Sequence, residues 1–210
     1  MSCQIVPALL THDQEELALL QARLAFAPLV QLDIMDGVFV PSLSVPLEAV
    51  AKHPFHNPFE VHLMVCHPLK YIPLVKKLGA QAVIFHVESI DDPNEVIDLA
   101  HSEGLSVALA LNPDTPHSAL ETFLGRLNGV LFMTVYPGYY GASFEPKVLN
   151  KITYFKSRHP QMQVAIDGGA KKDNILKIKK SGVDKICVGS AIAQNSCPQK
   201  AYNELLSLVN

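Results

Sequence analysis

The chain has 210 residues, of which 49% are hydrophobic and only 18% are charged, a composition that excludes an intrinsically disordered protein. Its formal net charge of −3 provides no broad positive field, so we expect no nucleic-acid partner and no membrane binding. The first residues do not resemble a signal peptide, and no apolar stretch is long enough to span a bilayer. We therefore predict a cytoplasmic protein whose residues 1–210 form a single domain.

Short β-branched runs alternate along the chain with segments of helical periodicity. The predicted strands cover residues 4–9, 30–36, 59–65, 82–88, 106–112, 129–135, 162–169 and 184–192. The predicted helices cover residues 13–26, 46–53, 68–79, 94–104, 117–128, 146–159, 173–182 and 198–210. The strands are nearly continuous apolar runs, which is typical of a parallel sheet covered by helices. Eight consecutive units without a linker favour an α/β fold of the single (β/α)8 TIM-barrel type over an open doubly wound sheet.

Polar residues close several of these apolar strands, and in a (β/α)8 barrel the carboxyl ends of the strands form the active site. They are Gln31, Asp33, Asp36, His62, His86, Glu88, Asn112 and Asp167. Residues two apart share one face of a strand, so we expect Asp33 and His62 to point toward the barrel axis. Together with Asp167 they provide two carboxylates and an imidazole. This set predicts a site for a divalent metal such as zinc, manganese or iron.

Glycines follow the last three strands on the same side of the predicted barrel. They are Gly138 and Gly141 after strand six, Gly168 and Gly169 after strand seven, and Gly189, with Ser190, after strand eight. Glycine lets backbone N–H groups approach an anion closely, and loops after strands seven and eight of barrels often bind phosphate. The sequence therefore predicts a phosphorylated small-molecule ligand.

The four cysteines are scattered and form no C-x-x-C pair. They are Cys3, Cys66, Cys187 and Cys197. This spacing argues against a zinc ribbon, a thioredoxin motif and a secreted disulfide framework. We expect them to be reduced, buried thiols.

Two segments resemble motifs of the ribulose-phosphate 3-epimerases. Residues 32–41, LDIMDGVFVP, are similar to that family's LDVMDGxFVP, and residues 61–65, VHLMV, are similar to its VHLMV. Further segments follow in the family's order at residues 111–116, 133–138, 143–146, 167–169 and 188–192. The resemblance extends over nearly the full length of the chain.

The resemblance implies an isomerase that interconverts D-ribulose 5-phosphate and D-xylulose 5-phosphate by proton transfer at carbon 3. Asp33 and Asp167 match the acid/base pair. Asp33, His62 and Asp167 match ligands of one divalent metal, Zn, Fe, Mn or Co, which stabilises an enediolate. Met35, Met64 and Met133 match methionines that pack over the reacting carbons. The partner is then a phosphorylated ketose, and homo-oligomerisation is left open.

Several residues depart from the family pattern. Gln31 stands where the family usually has a histidine ligand, so metal binding should be weakened, lost or shifted in preference. Ala8 stands where the family usually has serine, Tyr136 where it has asparagine or glutamate, and Tyr140 where it has glycine. The substrate is accordingly open to another phosphoketose, such as a hexulose 6-phosphate. His86 is either a hydrogen-bonded neighbour of the ligating side chains or a structural histidine.

Two other functions compete with the epimerase. The same departures would suit a catalytically weak or inactive barrel that only binds sugar phosphates. A barrel decarboxylase or hexulose-phosphate synthase would carry the motif D-x-K-x-x-D, whereas this chain has Asp33-Ile34-Met35-Asp36. Because the lysine of that motif is absent, we disfavour this third function.

Overall fold

Eight parallel strands pair in chain order, and β8 pairs with β1 to close a barrel. The structure, a computed structural model, describes residues 3–138 and 141–210. The strands are β1 Gln4–Leu9, β2 Val30–Met35, β3 Phe59–Met64, β4 Ala82–His86, β5 Ser106–Leu111, β6 Gly129–Met133, β7 Gln163–Asp167 and β8 Lys185–Val188. This closed topology confirms the predicted (β/α)8 barrel.

Among the described residues, each strand except β5 is followed by an α-helix, and β8 is followed by two. The helices are α1 Gln14–Arg23, α2 Leu47–Val50, α3 Ile72–Lys77, α4 Pro93–Ser102, α5 Lys147–Arg158, α6 Ile175–Lys180, α7 Ser190–Ala193 and α8 Pro198–Val209. The prediction of one helix at residues 117–128 is wrong, because this segment forms two short 3-10 helices, His117–Leu120 and Leu124–Arg126. Gly125 lies within the second of these, and glycine is a poor helix former.

Other predicted elements are shorter than expected, and prolines account for two of the differences. Residues 46–53 form only α2, since Pro54 disfavours helical geometry at the residue before it. Residues 68–79 begin as a 3-10 helix, Pro68–Tyr71, because Pro73 has no N–H for the regular helical hydrogen bond. The last predicted strand ends at Val188, and residues 190–193 form α7 instead.

The strands are buried on both faces, and alternate residues enter two different apolar layers. Outward-facing residues of β2 and β3, such as Leu32 and Val61, pack against the helices in the larger layer. Inward-facing residues fill the barrel, among them Val6, Ile84, Leu131, Ala165 and Cys187. This alternation places Gln31, Asp33 and Met35 on the inner face, as their spacing predicts.

The amino ends of the strands hold a buried ion pair. Lys185 Nζ lies 2.6 Å from Glu60 Oε2, and only 9% of Lys185 and 3% of Glu60 are exposed. The other carboxylate oxygen, Glu60 Oε1, has no hydrogen-bond partner among the described residues. This pair joins β3 to β8 across the interior.

Within residues 3–138 and 141–210, no helix is both long and apolar enough to cross a membrane.

Candidate active site

Strand register brings the predicted site residues together. Asp33 on β2 pairs with His62 on β3, and Met35 pairs with Met64 two residues further along. Asp167 ends β7, where its carbonyl accepts hydrogen bonds from the backbone N–H of Thr134 at 2.7 Å and from the Thr134 hydroxyl at 3.0 Å. Parallel strands end at the same edge of the barrel, so both carboxylates and the imidazole reach one point on its axis.

Asp33, His62 and Asp167 form a buried cluster of potential metal ligands. One ligand atom from each residue lies within 4.8 Å of the others. His62 Nδ1 is 3.3 Å from Asp33 Oδ1 and 3.2 Å from Asp167 Oδ2. This buried nitrogen has no well-formed hydrogen bond among the described residues. A buried nitrogen facing two carboxylates in this way fits a cation-binding site.

Gln31 occupies the floor of this cluster and contacts both acids. Its Nε2 donates to Asp33 Oδ1 at 2.8 Å and to Asp167 Oδ2 at 2.7 Å. Its Oε1 accepts from the Cys187 thiol on β8 at 3.0 Å. The opposite amide orientation would direct an oxygen lone pair at two carboxylates. Both the Cys187 thiol and the two carboxylates therefore favour the orientation observed.

Burial and proximity shift the pKa values in this cluster. Burial raises the pKa of Asp33 to about 6, and repulsion from Asp167 acts in the same direction. Burial alone would lower the pKa of His62, but its direct contacts with the Asp167 and Asp33 carboxylates outweigh this and raise the pKa to about 9. Burial and the nearby Asp167 raise the pKa of Cys187 well above its ordinary value, so its thiol keeps the proton that it donates to Gln31.

A second set of polar groups lies behind His62. Its Nε2 is 3.0 Å from His86 Nε2, and His86 Nδ1 is 3.2 Å from Glu88 Oε2. Glu88 Oε1 accepts from the Asn112 backbone N–H at 2.8 Å and from the Thr115 hydroxyl. Both histidines are fully buried, and burial lowers the pKa of His86. The contact with His62 identifies His86 as a hydrogen-bonded neighbour of a potential ligand, one of the two alternatives that the sequence left open.

A cavity of about 390 Å³ opens above the two aspartates at the carboxyl end of the barrel. Every residue predicted to bind substrate lines it, namely Met35, Met64, Met133, Gly138, Gly141, Gly168, Gly169, Gly189 and Ser190. Asp33, Asp167 and Ala8 line it as well, whereas His62 lies beneath them. The structure thus brings the predicted residues to one cavity, and their roles in binding and catalysis stay predictions.

Of the two loop tyrosines that depart from the family pattern, Tyr136 and Tyr140, the structure describes only Tyr136. Tyr136 is 47% exposed and donates its hydroxyl to Asp114 Oδ2 at 2.5 Å. It is not among the residues that line the cavity. Tyr140 lies outside the described residues.

Sequence reasoning missed the contribution of Cys187. All four cysteines are free thiols, and the prediction that they are buried is wrong for Cys197, which is exposed, and for Cys66, which is half-buried. Two-residue alternation along β8 was the available signal, because it places Cys187 inside the barrel. Its contact with Gln31 joins residues 156 positions apart, so no local pattern indicates it.

Comparison with known proteins gives a consistent result. A model of the ribulose-phosphate 3 epimerase family matches residues 1–193. A "Ribulose-phosphate 3-epimerase" from Schizosaccharomyces pombe is 31% identical, covering 100% of this chain and 95% of its own length. "Ribulose-phosphate 3-epimerase 1" from Cupriavidus necator is 35% identical, covering 97% of this chain and 89% of its own length.

Solved structures resemble this one at lower identity. A 3-hexulose-6-phosphate synthase from Salmonella typhimurium has a TM-score of 0.75 at 13% identity, and the match covers 98% of each chain. At this identity the likeness shows a shared barrel and nothing about activity.

Proposed function

Because the chain belongs to the ribulose-phosphate 3-epimerase family, we propose that it interconverts D-ribulose 5-phosphate and D-xylulose 5-phosphate, with Asp33 and Asp167 as acid and base. One observation carries the roles of these residues. Both carboxyl groups line one cavity, and one oxygen of each accepts from the same Gln31 nitrogen. Two carboxyl groups held around one reacting carbon suit the transfer of a proton between its two faces.

The proposed reaction needs no oxidant and no second substrate. One carboxylate removes the proton from carbon 3, and the other carboxylic acid donates its proton to the opposite face. The two residues thereby exchange protonation states, which is the starting point for the reverse reaction. The pKa of Asp33, raised to about 6 by burial, lies closer to neutral pH, where a carboxyl group can both accept and donate a proton.

The cluster beneath the cavity suits one divalent metal, Zn, Fe, Mn or Co. Asp33, His62 and Asp167 would hold it, and this is supported by the buried His62 Nδ1, which has no hydrogen-bond partner among the described residues. When bound, such a metal supplies a Lewis acid that stabilises negative charge on the substrate oxygens.

The cavity walls support a phosphorylated ketose as the substrate. Gly168, Gly169 and Gly189 offer backbone close to the ligand, and we assign the phosphate to this side. Met35, Met64 and Met133 line the part of the cavity near the aspartates. Their apolar side chains would exclude water from the planar intermediate formed when carbon 3 loses its proton.

The test compares Asp33→Asn and Asp167→Asn with the matched surface variant Asp98→Asn. We expect each active-site variant to slow conversion of D-ribulose 5-phosphate by about 10²- to 10⁴-fold, the usual contribution of a positioned acid or base. Asp98 is exposed on α4, and its substitution should leave the rate unchanged. Coupled-assay rates near wild type in either active-site variant would overturn the assignment.

A second candidate is a barrel that binds a sugar phosphate without efficient turnover, and Gln31 favours it. The amide already donates to both carboxylates, so it competes with a cation for the same oxygens. Metal content and turnover of ribulose 5-phosphate and a hexulose 6-phosphate, measured on one sample, separate these functions. Binding without turnover in the presence of zinc, iron, cobalt or manganese would favour the second.

A further inference from the structure

A line of hydrogen-bonding groups runs from the candidate metal site into the loop after β5. His62 contacts His86 through their Nε2 atoms at 3.0 Å, and His86 Nδ1 contacts Glu88 Oε2 at 3.2 Å. The two imidazole planes differ by only 17°, with ring centroids 5.2 Å apart. A lone pair on one ring can therefore face an N–H on the other, because both lie in their ring planes.

The far end of this line sets the direction of every hydrogen bond in it. The Asn112 backbone N–H can only donate, and an ionised Glu88 carboxylate can only accept. His86 must therefore carry its proton on Nδ1, which leaves Nε2 as the acceptor in the neutral ring. The 3.0 Å contact then requires a proton on His62 Nε2.

We propose that Glu88 and His86 are positioning residues that keep a proton on His62 Nε2, so that a divalent cation between Asp33 and Asp167 has only the proton on Nδ1 to displace. This inference rests on the proposed metal-assisted function, and it deepens that function by assigning a task to two residues that touch neither cation nor sugar. Phe39 packs on His86 with ring centroids 4.8 Å apart, which fixes the ring further.

A near-isosteric substitution of Glu88 should reverse the direction of the hydrogen bonds between Glu88, His86 and His62. In Glu88→Gln the new side-chain oxygen must still accept from the Asn112 N–H, so its NH₂ group is left facing His86 Nδ1. His86 would then accept at Nδ1 and donate from Nε2. His62 would accept at Nε2 and be left with its only proton on Nδ1, and a neutral imidazole does not readily give up that proton to a cation.

The experiment reads the proton positions directly, using metal-free protein with ¹⁵N-labelled histidine and long-range ¹H–¹⁵N NMR. We expect His62 Nε2 to be protonated in the wild type and unprotonated in Glu88→Gln. Zinc affinity, measured by competition with a chelator, should fall about 10- to 100-fold in that variant. An unprotonated His62 Nε2 in the wild type, or wild-type zinc affinity in Glu88→Gln, would overturn the proposal.

Two further variants control for folding and for the loss of a charge. Glu95→Gln makes the same chemical change at an exposed position of α4 and should alter neither readout. Glu88→Asp keeps a group that only accepts, so His62 Nε2 should stay protonated even if the protein is less stable. A Glu88→Asp spectrum in which His62 Nε2 is unprotonated would contradict the role of the carboxylate.

Neither readout uses a sugar phosphate, so its outcome is separate from that of the proposed reaction. A wild type that fails to epimerise but shows the expected proton on His62 Nε2 would refute only the reaction. A wild type that epimerises while His62 Nε2 is unprotonated would refute only the positioning role of Glu88 and His86.

Discussion

Among the residues of the candidate metal site, Gln31 is the one whose side chain is least suited to bind a metal ion. As it lies, its NH₂ group faces Asp33 and Asp167, and its oxygen is held by Cys187 on the opposite side. To coordinate a cation through oxygen the amide would have to turn over and lose all three hydrogen bonds. The Gln31 side chain therefore stabilises the two carboxylates when no cation is present. It also disfavours the binding of a cation to them.

Substitution of Gln31 by histidine should reverse this balance. Gln31→His replaces a neutral amide donor with an imidazole, so zinc affinity should rise at least about tenfold, or about 1.4 kcal/mol. The metal-free variant should in turn be less stable by about 1–3 kcal/mol, because charged acceptors lose their donors. Chelator competition and urea unfolding measure the two effects.

Gln81→His adds a histidine at an exposed position and controls for adventitious zinc binding. If Gln31→His and Gln81→His bind zinc equally, the amide at position 31 is not what limits metal binding.

At the scale of single residues, the sequence predicted which residues form the site better than it predicted how their side chains are oriented. Two-residue alternation was enough to place Asp33 and His62 on the inner face, and strand ends were enough to add Asp167. The direction of the Gln31 amide depends on a thiol 156 residues away, and the proton on His62 depends on Glu88 and Asn112. Such long-range contacts are set by the closed barrel and leave no local pattern.

Among the elements, the loop after β2 is fixed by one carboxylate. Asp36 Oδ1 accepts from the N–H groups of Val38 and Phe39, and Oδ2 accepts from the Cys66 N–H at 2.7 Å. Asp36→Asn must leave at least one of these donors unpaired, because its NH₂ group cannot accept. We expect a loss of about 1–3 kcal/mol in the free energy of unfolding at pH 7, measured by urea titration.

The same carboxylate makes this loss depend on pH. Burial alone would raise the pKa of Asp36, but the N–H donors of Cys66, Phe39 and Val38 outweigh it and hold the pKa below the ordinary 3.8. A lowered folded-state pKa contributes stability above 3.8 that is lost as pH falls through the folded value. The difference between wild type and Asp36→Asn should therefore narrow below about pH 4. A difference that stays constant over this pH range would contradict this account.

The loop after β7 depends on a glycine with little space around it. Gly168 has φ +107°, and a Cβ there would lie 2.4 Å from Val135 Cγ2. Val135 is buried and β-branched, so it cannot easily turn away. Gly79 has φ +85°, but nothing lies within 4 Å of the position that a Cβ would take there, so Gly79→Ala isolates the backbone cost.

We expect Gly168→Ala to destabilise the protein by about 1–3 kcal/mol more than Gly79→Ala in urea unfolding. Removal of the clash in Gly168→Ala/Val135→Ala should recover part of this difference. Equal costs for the two glycine substitutions would show that Val135 gives way.

At the scale of the whole molecule, the Glu60–Lys185 pair joins two strands across the interior. Lys185→Met would leave a buried carboxylate without its partner, so we expect a loss of about 3–5 kcal/mol in thermal or urea unfolding. Glu60→Leu/Lys185→Met removes both charges and should recover most of that stability. A double variant no more stable than Lys185→Met would show that packing, rather than the unpaired charge, causes the loss.

The alternation of strands and helices predicted the barrel because each unit needs a neighbour on both sides to bury its apolar strand. It did not predict which connections would be regular helices. Residues 117–128 have the apolar spacing of a helix, but Gly125 and packing on the barrel leave two 3-10 helices there. Apolar spacing reports which residues face the barrel and does not fix the hydrogen bonding of the turn that carries them.

The Gln31 amide also has a consequence for the order of assembly. Proteins that rely on a cation to hold clustered acids together cannot complete folding until that cation arrives. Here the amide of one side chain already bridges Asp33, Asp167 and Cys187, which lie on three different strands. We therefore expect the barrel to close without a cation, so that any metal bound between Asp33 and Asp167 would be acquired after folding.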